Sequence, residues 1–258
     1  MTKAPQKRPS LRLTRGDLPT QLANLIGRRI LNGDLKPGDQ LPPETQLLEE
    51  TGVSRTTMRE AVKLLVSKGL VEAKPKSGTR VRPSTDWSLL DPTVLRWQFD
   101  NRDDLQELIS LFEIRRLIEP EAAALAAARS TDAKRAAIGI AYDALVVSSE
   151  TQINLIEADV DFHLSVLNAA ENKYLLALGT VIEMAIKSTA RFSRLRPGGL
   201  QYSLPLHKTV YDSILSRRPE VARAHMRALI DDAQDDMRMV LKRSEATMPG
   251  LNAANDQA

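Results

Sequence analysis

One stretch of fourteen residues, GVSRTTMREAVKLL, from Gly52 to Leu65, constrains the fold more than any other part of the chain. Ser54 is suited to cap a helix, because its side-chain oxygen can accept a hydrogen bond from a free backbone N–H of the first turn. Val53 and Met58 stand at the two positions of a hydrophobic staple around that cap. The apolar residues that follow are spaced i, i+4, i+7 and i+8: Met58, Val62, Leu65 and Val66. The stretch therefore predicts a helix with one buried face.

A different face of the same helix is cationic. Arg55, Arg59 and Lys63 recur every four residues, and Thr56 and Thr57 add short hydroxyl side chains at the N-terminal tip. Most faces of this kind are simply solvated. The sequence on either side of the helix decides whether this one has a further role.

The neighbouring segments predict a helix-turn-helix with a wing. Residues 18–31 have the spacing of an amphipathic helix, and residues 44–51 form a short helix that Gly52 ends. A four-residue turn through glycine then leads into the cationic helix. Next, LVEAKP and TRVR predict two short strands around a tight turn at Ser77 and Gly78. In such motifs the tip of the second helix enters the major groove of DNA.

Charge divides the chain in the same way. Residues 1–82 contain 16 Lys and Arg against 8 Asp and Glu, a balance of +8. Residues 83–258 contain 20 against 25, a balance of −5, and the two sum to the net charge of +3. A basic first part and an acidic second part indicate that the first part binds a polyanion.

The run LPPETQLLEETGVSRTTMREAVKLLVSKGLVEAKPKSGTRV resembles the DNA-binding domain of GntR-type bacterial transcription regulators. The resemblance covers residues 18–82 and is most specific in SRTTMREA. It implies a double-stranded DNA operator as partner and the following DNA contacts: Arg55, Thr56, Thr57, Arg59 and Gly78. Thr45 departs from the pattern, since many relatives have an arginine there.

The rest of the chain predicts an all-α domain, because its hydrophobic spacing is helical throughout. We expect helices near 91–100, 103–128, 131–149, 153–170, 172–195, 203–216 and 219–243, with a kink or break at Pro120. The fold class is thus mostly α, a winged helix-turn-helix followed by a helical bundle. The expected divisions are a loose basic arm (1–17), the DNA-binding domain (18–82), a linker (83–90), an effector-binding and dimerisation domain (91–245) and a flexible tail (246–258).

Polar residues interrupt the apolar stripes of this second domain at three places. Arg115 lies in line with Phe112 and Glu119; Asp159 and His163 are one helical turn apart; His207 lies in line with Val210, Tyr211 and Ile214. A buried histidine usually only forms a hydrogen bond, and an inward arginine usually pairs with a structural glutamate. Together, however, a carboxylate and an imidazole one turn apart, with a second imidazole from another helix, can bind one divalent ion such as zinc or nickel.

The runs FEIRRLIEPEAAALAAARS, ADVDFHLSVLNAAENKYL and LHKTVYDSI resemble the FCD effector domain of the FadR branch of this family. The resemblance implies that Asp159, His163 and His207 are metal ligands. The usual fourth ligand, a histidine, falls on Leu229, whereas His225 lies one turn earlier. Two alternatives stay open: His225 substitutes, or only three protein ligands remain.

An inward arginine beside a metal suits a small carboxylate, which a guanidinium can clamp with two hydrogen bonds. We expect Arg115 to bind the effector carboxylate and Ser203, one turn before His207, to meet one of its hydroxyls. WSLLDPTVLRW and RRLIEPEAA resemble sugar-acid regulators of this branch, particularly galactonate-responsive repressors. The leading hypothesis is a homodimeric repressor that is not an enzyme.

Three alternatives are kept: a metal-dependent enzyme acting on a sugar acid or lactone and fused to a DNA-binding domain, a regulator responding to another hydroxy or dicarboxylic acid, and an architectural DNA binder. No HExxH motif supports the enzyme. Zero cysteines fit a reducing cytoplasm. No segment approaches ~18 uninterrupted apolar residues, so no membrane span is expected.

Overall fold

The computed structural model of the chain describes residues 16–74, 77–99, 105–195 and 199–247. The expected N-terminal arm and C-terminal tail fall almost entirely outside these residues. The chain forms two compact units, residues 1–102 and 103–258. The predicted fold class, a winged helix-turn-helix followed by an all-helical domain, is confirmed.

The first unit begins with three helices: α1 (Leu18–Leu31), α2 (Glu44–Thr51) and α3 (Arg55–Ser67). Ser54 caps α3 as predicted, since its hydroxyl accepts a hydrogen bond from the Thr57 N–H at 3.1 Å. The buried residues of α3 are Met58, Ala61 and Leu65. The predicted stripe was wrong at its end, because Val66 is 41% exposed.

The wing is an antiparallel hairpin of β1 (Val71–Lys74) and β2 (Gly78–Val81), paired from Val71 opposite Val81 to Lys74 opposite Gly78. The turn residues 75 and 76 lie outside the described residues. The segment before α2 borders the other edge of β2, where the Leu41 N–H donates to the Thr79 carbonyl at 2.8 Å. Strand β2 is therefore hydrogen-bonded along both edges, to β1 on one side and to the segment before α2 on the other.

The segment after the wing also packs in the first unit. Helix α4 (Pro92–Phe99) follows a short 3₁₀ turn, and its Trp97 packs on Gly27, where an added Cβ would lie 2.4 Å from the indole ring. The Trp97 indole N–H donates to the Asn24 side chain at 2.9 Å, and Lys68 pairs with Asp91 at 2.8 Å. The expected boundary at residue 91 therefore differs from the division into compact units, because these contacts attach α4 to the DNA-binding unit.

The second unit contains seven α-helices within the described residues: α5 (Leu105–Arg129), α6 (Asp132–Thr151), α7 (Leu155–Ala169), α8 (Lys173–Ala177), α9 (Gly179–Arg194), α10 (Leu204–Leu215) and α11 (Pro219–Thr247). We expected a kink or a break at Pro120, and helix α5 continues through this buried residue without a break. The single helix predicted over 172–195 is instead two, α8 and α9. They meet at Gly179, where an added Cβ would lie 2.9 Å from the Leu164 side chain.

Part of the core of this unit lies where α5, α7 and α9 meet, with the following buried residues: Ala122, Val160, Leu167, Ala170, Ile182 and Ile186. Helices α5 and α7 carry Arg115, Asp159 and His163, so this core fixes the positions of those side chains. Among the described residues, no helix is long and apolar enough to cross a membrane.

Candidate functional site

The tip of α3 presents polar side chains to solvent. The Arg55 side chain is 73% exposed, and Thr56 and Arg59 are also exposed. Thr57 is half-buried, and its hydroxyl lies 2.9 Å from the Ser54 hydroxyl. Because Ser54 already caps the helix, these side chains extend from a rigid N-terminus rather than from a loop.

The wing continues this surface. Gly78 has φ +80° and no heavy atom within 4 Å of an added Cβ, so both its conformation and the open space around it suit close approach of another molecule. A concavity of about 750 Å³ separates α3 from the wing. Arg59 and Lys63 line it from α3, and Gly78 and Thr79 line it from β2. Two of the predicted contacts, Arg59 and Gly78, thus line the same concavity within the first unit.

A buried cluster in the second unit joins the predicted metal ligands. Oδ1 of Asp159 lies 2.9 Å from Nε2 of His207 and 3.6 Å from Nε2 of His163. One ligand atom of each residue lies within 4.8 Å of the others. Two nitrogens and one carboxylate oxygen, converging from α7 and α10, match the ligand chemistry of a divalent transition metal.

Hydrogen bonds at the outer nitrogen of each imidazole orient the rings. Nδ1 of His207 donates to the Ser203 carbonyl at 2.9 Å, because a carbonyl can only accept. Nδ1 of His163 makes a short hydrogen bond to the Glu119 carboxylate. In a neutral imidazole each Nε2 then keeps its lone pair on the side of Asp159. Metal-binding histidines are commonly held in this way by an oxygen acceptor.

Glu119 belongs to this cluster, although the predicted site did not include it. Its side chain is completely buried, and it contacts both Arg115 and His163. Sequence did contain a signal, since Glu119 lies one turn after Arg115 on the same stripe. That spacing gives no indication that Glu119 contacts His163, which is 44 positions away in sequence.

Both buried carboxyl groups are held ionised. Burial would raise the pKa of Asp159, but the hydrogen bond from His207 and the nearby positive groups lower it to about 2. Burial would likewise raise the pKa of Glu119, and the charges of Arg115 and His163 lower it to about 2. Protonated imidazoles supply positive charge beside these carboxylates, and with neutral imidazoles a bound cation would supply it instead.

Arg115 lies at the edge of this cluster and is 4% exposed. Its Nε donates to Oε1 of Glu119 at 2.6 Å, and Nη2 lies 3.4 Å from Nε2 of His163. A guanidinium has five N–H donors, so these contacts leave donors for another partner. Arg115 can therefore hold Glu119 in place and still donate hydrogen bonds to an effector.

His225 is not part of the cluster. Its Nδ1 lies 2.8 Å from the Ser213 hydroxyl and 3.0 Å from the Thr209 carbonyl, both on α10. Leu229, one turn later on α11, lines the cavity instead. One turn shifts a side chain by ~6 Å along the helix and ~40° around it, and this is enough to turn His225 away from the metal ligands. The substitution by His225 that the sequence left open is thus disfavoured by the geometry.

The cluster lines a small cavity of about 30 Å³. The predicted residues Arg115, Asp159, His163, Ser203 and His207 all lie on its wall. Helices α9 and α11 supply the other lining residues: Ile186, Thr189, Ala190, Ser193, Leu229, Asp232, Ala233 and Asp236. This volume has room for an ion or a water molecule.

A winged helix-turn-helix joined to a helical domain is an architecture typical of DNA-binding transcription regulators. Residues 18–81 match the family model of bacterial regulatory proteins of the gntR family, and residues 110–232 match the FCD domain. The chain belongs to the GntR family of transcription regulators, and its relatives are regulators rather than enzymes.

Several relatives are similar over most of their length. The galactonate operon transcriptional repressor of Escherichia coli K12 is 32% identical over 73% of this chain and 83% of its own. The HTH-type regulator LutR of Bacillus subtilis is 30% identical over 80% of this chain and 94% of its own. Among solved structures, that of Lar from Listeria monocytogenes covers 88% of this chain and 100% of its own with a TM-score of 0.64. At 19% identity, this last similarity concerns the fold alone.

Proposed function

We propose that the protein is a repressor that leaves its operator when a small hydroxy acid, a sugar acid such as galactonate, binds the second unit. The observation that carries the proposal is the small cavity of the second unit, which combines the guanidinium of Arg115 with a ligand set for a divalent metal. Such a pair suits a carboxylate that carries a neighbouring hydroxyl. The similarity to a galactonate operon repressor supports the same effector class.

The DNA contacts in this proposal come from α3 and the wing. Arg55 and Arg59 hydrogen-bond guanine edges or phosphates in the major groove, and Thr56 and Thr57 contact thymine methyl groups or phosphates. Gly78 lets the wing backbone approach the duplex closely. The exposure of Arg55 and Arg59 and the open space at Gly78 support these roles.

The protein acts as a homodimer on a palindromic operator in this proposal. A two-fold dimer places two recognition helices about one helical turn of DNA apart, so its affinity exceeds that of one DNA-binding unit. Sedimentation of the full chain, and footprinting of the operator for two symmetric half-sites, test this part separately.

A divalent metal, zinc or nickel or a similar ion, is held by Asp159, His163 and His207. Nε2 of His207 and a carboxylate oxygen of Asp159 lie 2.9 Å apart, a distance at which two acceptors need a proton or a cation between them. With Leu229 in place of a fourth ligand, three protein ligands remain. When bound, the metal supplies a Lewis-acidic positive charge for an oxygen of the effector.

Arg115 and Ser203 hold the effector. Arg115 donates to its carboxylate, and Ser203, which lines the cavity, meets one of its hydroxyls. Pockets for small molecules commonly have roughly 300–1,000 Å³, far more than the 30 Å³ of this cavity. The helices around it must therefore separate when a sugar acid enters, and this movement is the signal that reaches the DNA-binding unit.

The effector shifts an equilibrium between two arrangements of the dimer. To do so it must bind the arrangement that does not bind DNA more tightly, since equal affinity for both changes nothing. A cavity that has to open in order to be filled meets this condition, because the closed and the open forms differ in the contacts they offer the ligand.

Measurement of operator release in parallel with a thermal-shift screen tests the proposal. Aldonic and uronic acids are added with and without a chelator. We expect a sugar acid to raise the melting temperature and to release DNA at the same concentration, with the chelator abolishing both effects. DNA release that is indifferent to every small carboxylate would contradict the assigned function.

A second candidate effector class is a shorter hydroxy acid or a dicarboxylic acid. The small cavity favours it, and relatives of similar identity include the Glc operon transcriptional activator of Escherichia coli and a putative L-lactate dehydrogenase operon regulatory protein. One of these relatives is named as an activator, so transcription from the bound operator should be measured as well as binding.

A further inference from the structure

Helix α5 has an exposed face besides the buried face that carries the cluster. Leu117 is 71% exposed, although Arg115 and Glu119 on either side of it are buried. Ile114, one turn earlier, is 39% exposed. Ile114, Leu117 and Glu121 are spaced i, i+3 and i+7, so they lie along one face of the helix. Single exposed hydrophobic residues are common on protein surfaces, and it is the charges around these two that indicate a role for them.

Basic side chains of α11 border this face. Arg223 donates to both oxygens of the Glu121 carboxylate, at 2.7 and 2.9 Å, and Arg116 of α5 pairs with Asp231 at 3.2 Å. Helix α11 therefore runs antiparallel to α5, and Arg227 lies between these two pairs. The hydrogen bonds from Arg223 lower the pKa of Glu121, and the charge of Arg227 lowers it further. Arg227 is exposed and forms no ion pair with any of the described residues.

A carboxylate lies on the other side of Leu117. Glu113 is exposed, and within the part of the chain that the structure describes it forms no ion pair. It lies three residues before Arg116, on the side of the face that is next to α11. Glu113 and Glu121 are each four residues from Leu117, or ~6 Å along the helix. Leu117 therefore lies between a carboxylate and a guanidinium that both lack a partner among the described residues.

We infer that this face of α5 binds the same face of a second copy of the chain, with the two α5 helices antiparallel and crossing at Leu117. The inference rests on the homodimer of the proposed function and names its surface in the second unit. A two-fold axis at Leu117 brings Glu113 of one protomer beside the partner's Glu121, where the partner's Arg227 also lies. By symmetry the same ion pair forms a second time, so two pairs flank Ile114 and Leu117, which the contact buries.

The charges on this face favour a second copy over an unrelated partner. A partner surface of one sign would attract either Glu113 or Arg227 and repel the other. Two-fold pairing satisfies both, and Glu121 does not repel Glu113 because Arg223 already neutralises it. Glu220, which also contacts Arg223, lies two turns before Arg227 on α11 and is thus further from the contact.

This surface also connects the dimer to the cavity. Arg115 and Glu119 lie on the buried face of the helix whose exposed face carries Leu117. A displacement of α5 when the cavity opens therefore reaches the contact between the protomers without passing through another helix.

The test measures self-association of the full-length protein by sedimentation at several concentrations. Leu117→Glu places a charge in the contact, and its control is Ile140→Glu, since Ile140 on α6 is also 71% exposed. Glu113→Arg and Arg227→Glu each reverse one charge, and they are measured singly and as an equimolar mixture. Circular dichroism checks that each variant is folded.

We expect Leu117→Glu to weaken dimerisation about 100-fold or more, because a charge is buried without a partner, and Ile140→Glu to leave it unchanged. Each charge reversal should weaken dimerisation about 10-fold or more, because like charges then face each other. The mixture should regain wild-type association, since the mixed dimer contains one native and one reversed ion pair.

Two results overturn the inference and leave the homodimer in place: Leu117→Glu that dimerises like wild type, or a mixture that associates no more tightly than its components. Wild-type protein that stays monomeric at every concentration would contradict the proposed homodimer as well.

Discussion

Nε2 of His207 lies 2.9 Å from Oδ1 of Asp159, although the two residues are 48 positions apart and on different helices. The Ser203 carbonyl accepts the proton on the other side of the His207 ring. The ring is therefore oriented with Nε2 toward the carboxylate, where a proton or a metal ion can lie between the two atoms. This relationship links α7 to α10 and is the part of the site on which the metal and effector proposals both depend.

Replacement of His163 or His207 by alanine should remove most of the bound divalent metal, because each supplies one of three ligands. His225→Ala is the matched control. It should retain metal, since His225 contacts Thr209 and Ser213 instead of the cluster. Elemental analysis of each purified variant measures the metal content. Metal lost on replacement of His225, or wild-type protein without metal after growth in metal-rich medium, would contradict the three-ligand site.

Glu119→Gln should weaken metal binding about 10- to 100-fold, because loss of a carboxylate that orients a ligating histidine typically has this effect. It should also lower the free energy of unfolding, since Arg115 loses its buried ionic partner. The control is Glu113→Gln on the exposed face of the same helix. Competition with a metal indicator measures affinity. Equal metal affinity in the two variants would assign Glu119 a structural role alone.

Arg115→Ala should abolish release of the operator by effector and leave the repressor permanently bound to DNA. However, removal of one partner of a buried ion pair costs about 3–5 kcal/mol of stability. The double variant Arg115→Met with Glu119→Gln removes both charges, and comparison with Glu119→Gln alone separates the effect of Arg115 from the loss of metal and of the ion pair. A folded double variant that still released DNA at the wild-type effector concentration would exclude Arg115 from the effector site.

Arg55→Ala and Arg59→Ala should each weaken operator binding by ~1–3 kcal/mol, as loss of a base or phosphate contact does. Lys187→Ala removes the same charge from an exposed ion pair on α9 and serves as the control. Fluorescence anisotropy at several salt concentrations measures both affinity and its salt dependence. If both arginine variants bound the operator with wild-type affinity at moderate salt, α3 would not contact the base edges of the major groove.

Asp91 should make the attachment of α4 sensitive to acid. Burial would raise the pKa of Asp91, but Lys68 and the Thr93 and Val94 N–H groups lower it below its ordinary value of 3.8. A carboxyl group whose pKa is lower in the folded than in the unfolded protein stabilises the fold at pH values above its unfolded-state pKa. This stabilisation is lost as the pH falls through the lower, folded-state pKa. Stability conferred by Asp91 should therefore be constant at neutral pH and decline below about pH 4.

Asp91→Ala tests this attachment directly. Loss of a helix cap commonly costs about 1 kcal/mol, and loss of the Lys68 pair adds to it. Fluorescence of Trp97 in α4 should report the loosening, while Asp143→Ala, at an exposed position of α6, should leave it unchanged. Wild-type fluorescence and an unaltered acid midpoint in Asp91→Ala would show that the ion pair does not hold α4.

Local sequence was sufficient to predict the helix-turn-helix. Ser54, Val53 and Met58 determine the start of α3 through contacts within a few residues, and Gly52 ends α2 with the positive φ that glycine favours. Helical spacing likewise identified Arg115, Asp159, His163 and His207 as inward-facing. These features depend on residues within one or two helical turns of each other, so the local sequence is enough to predict them.

Only the tertiary structure decided which of these residues meet. Glu119 and His163 come together because α5 packs on α7, and His225 is excluded because its turn of α11 faces Thr209 on α10. Residues of α9 and α11 line one cavity for the same reason. Helical periodicity gives the face on which a side chain lies, whereas the partner of that face depends on the packing of helices far apart in the chain.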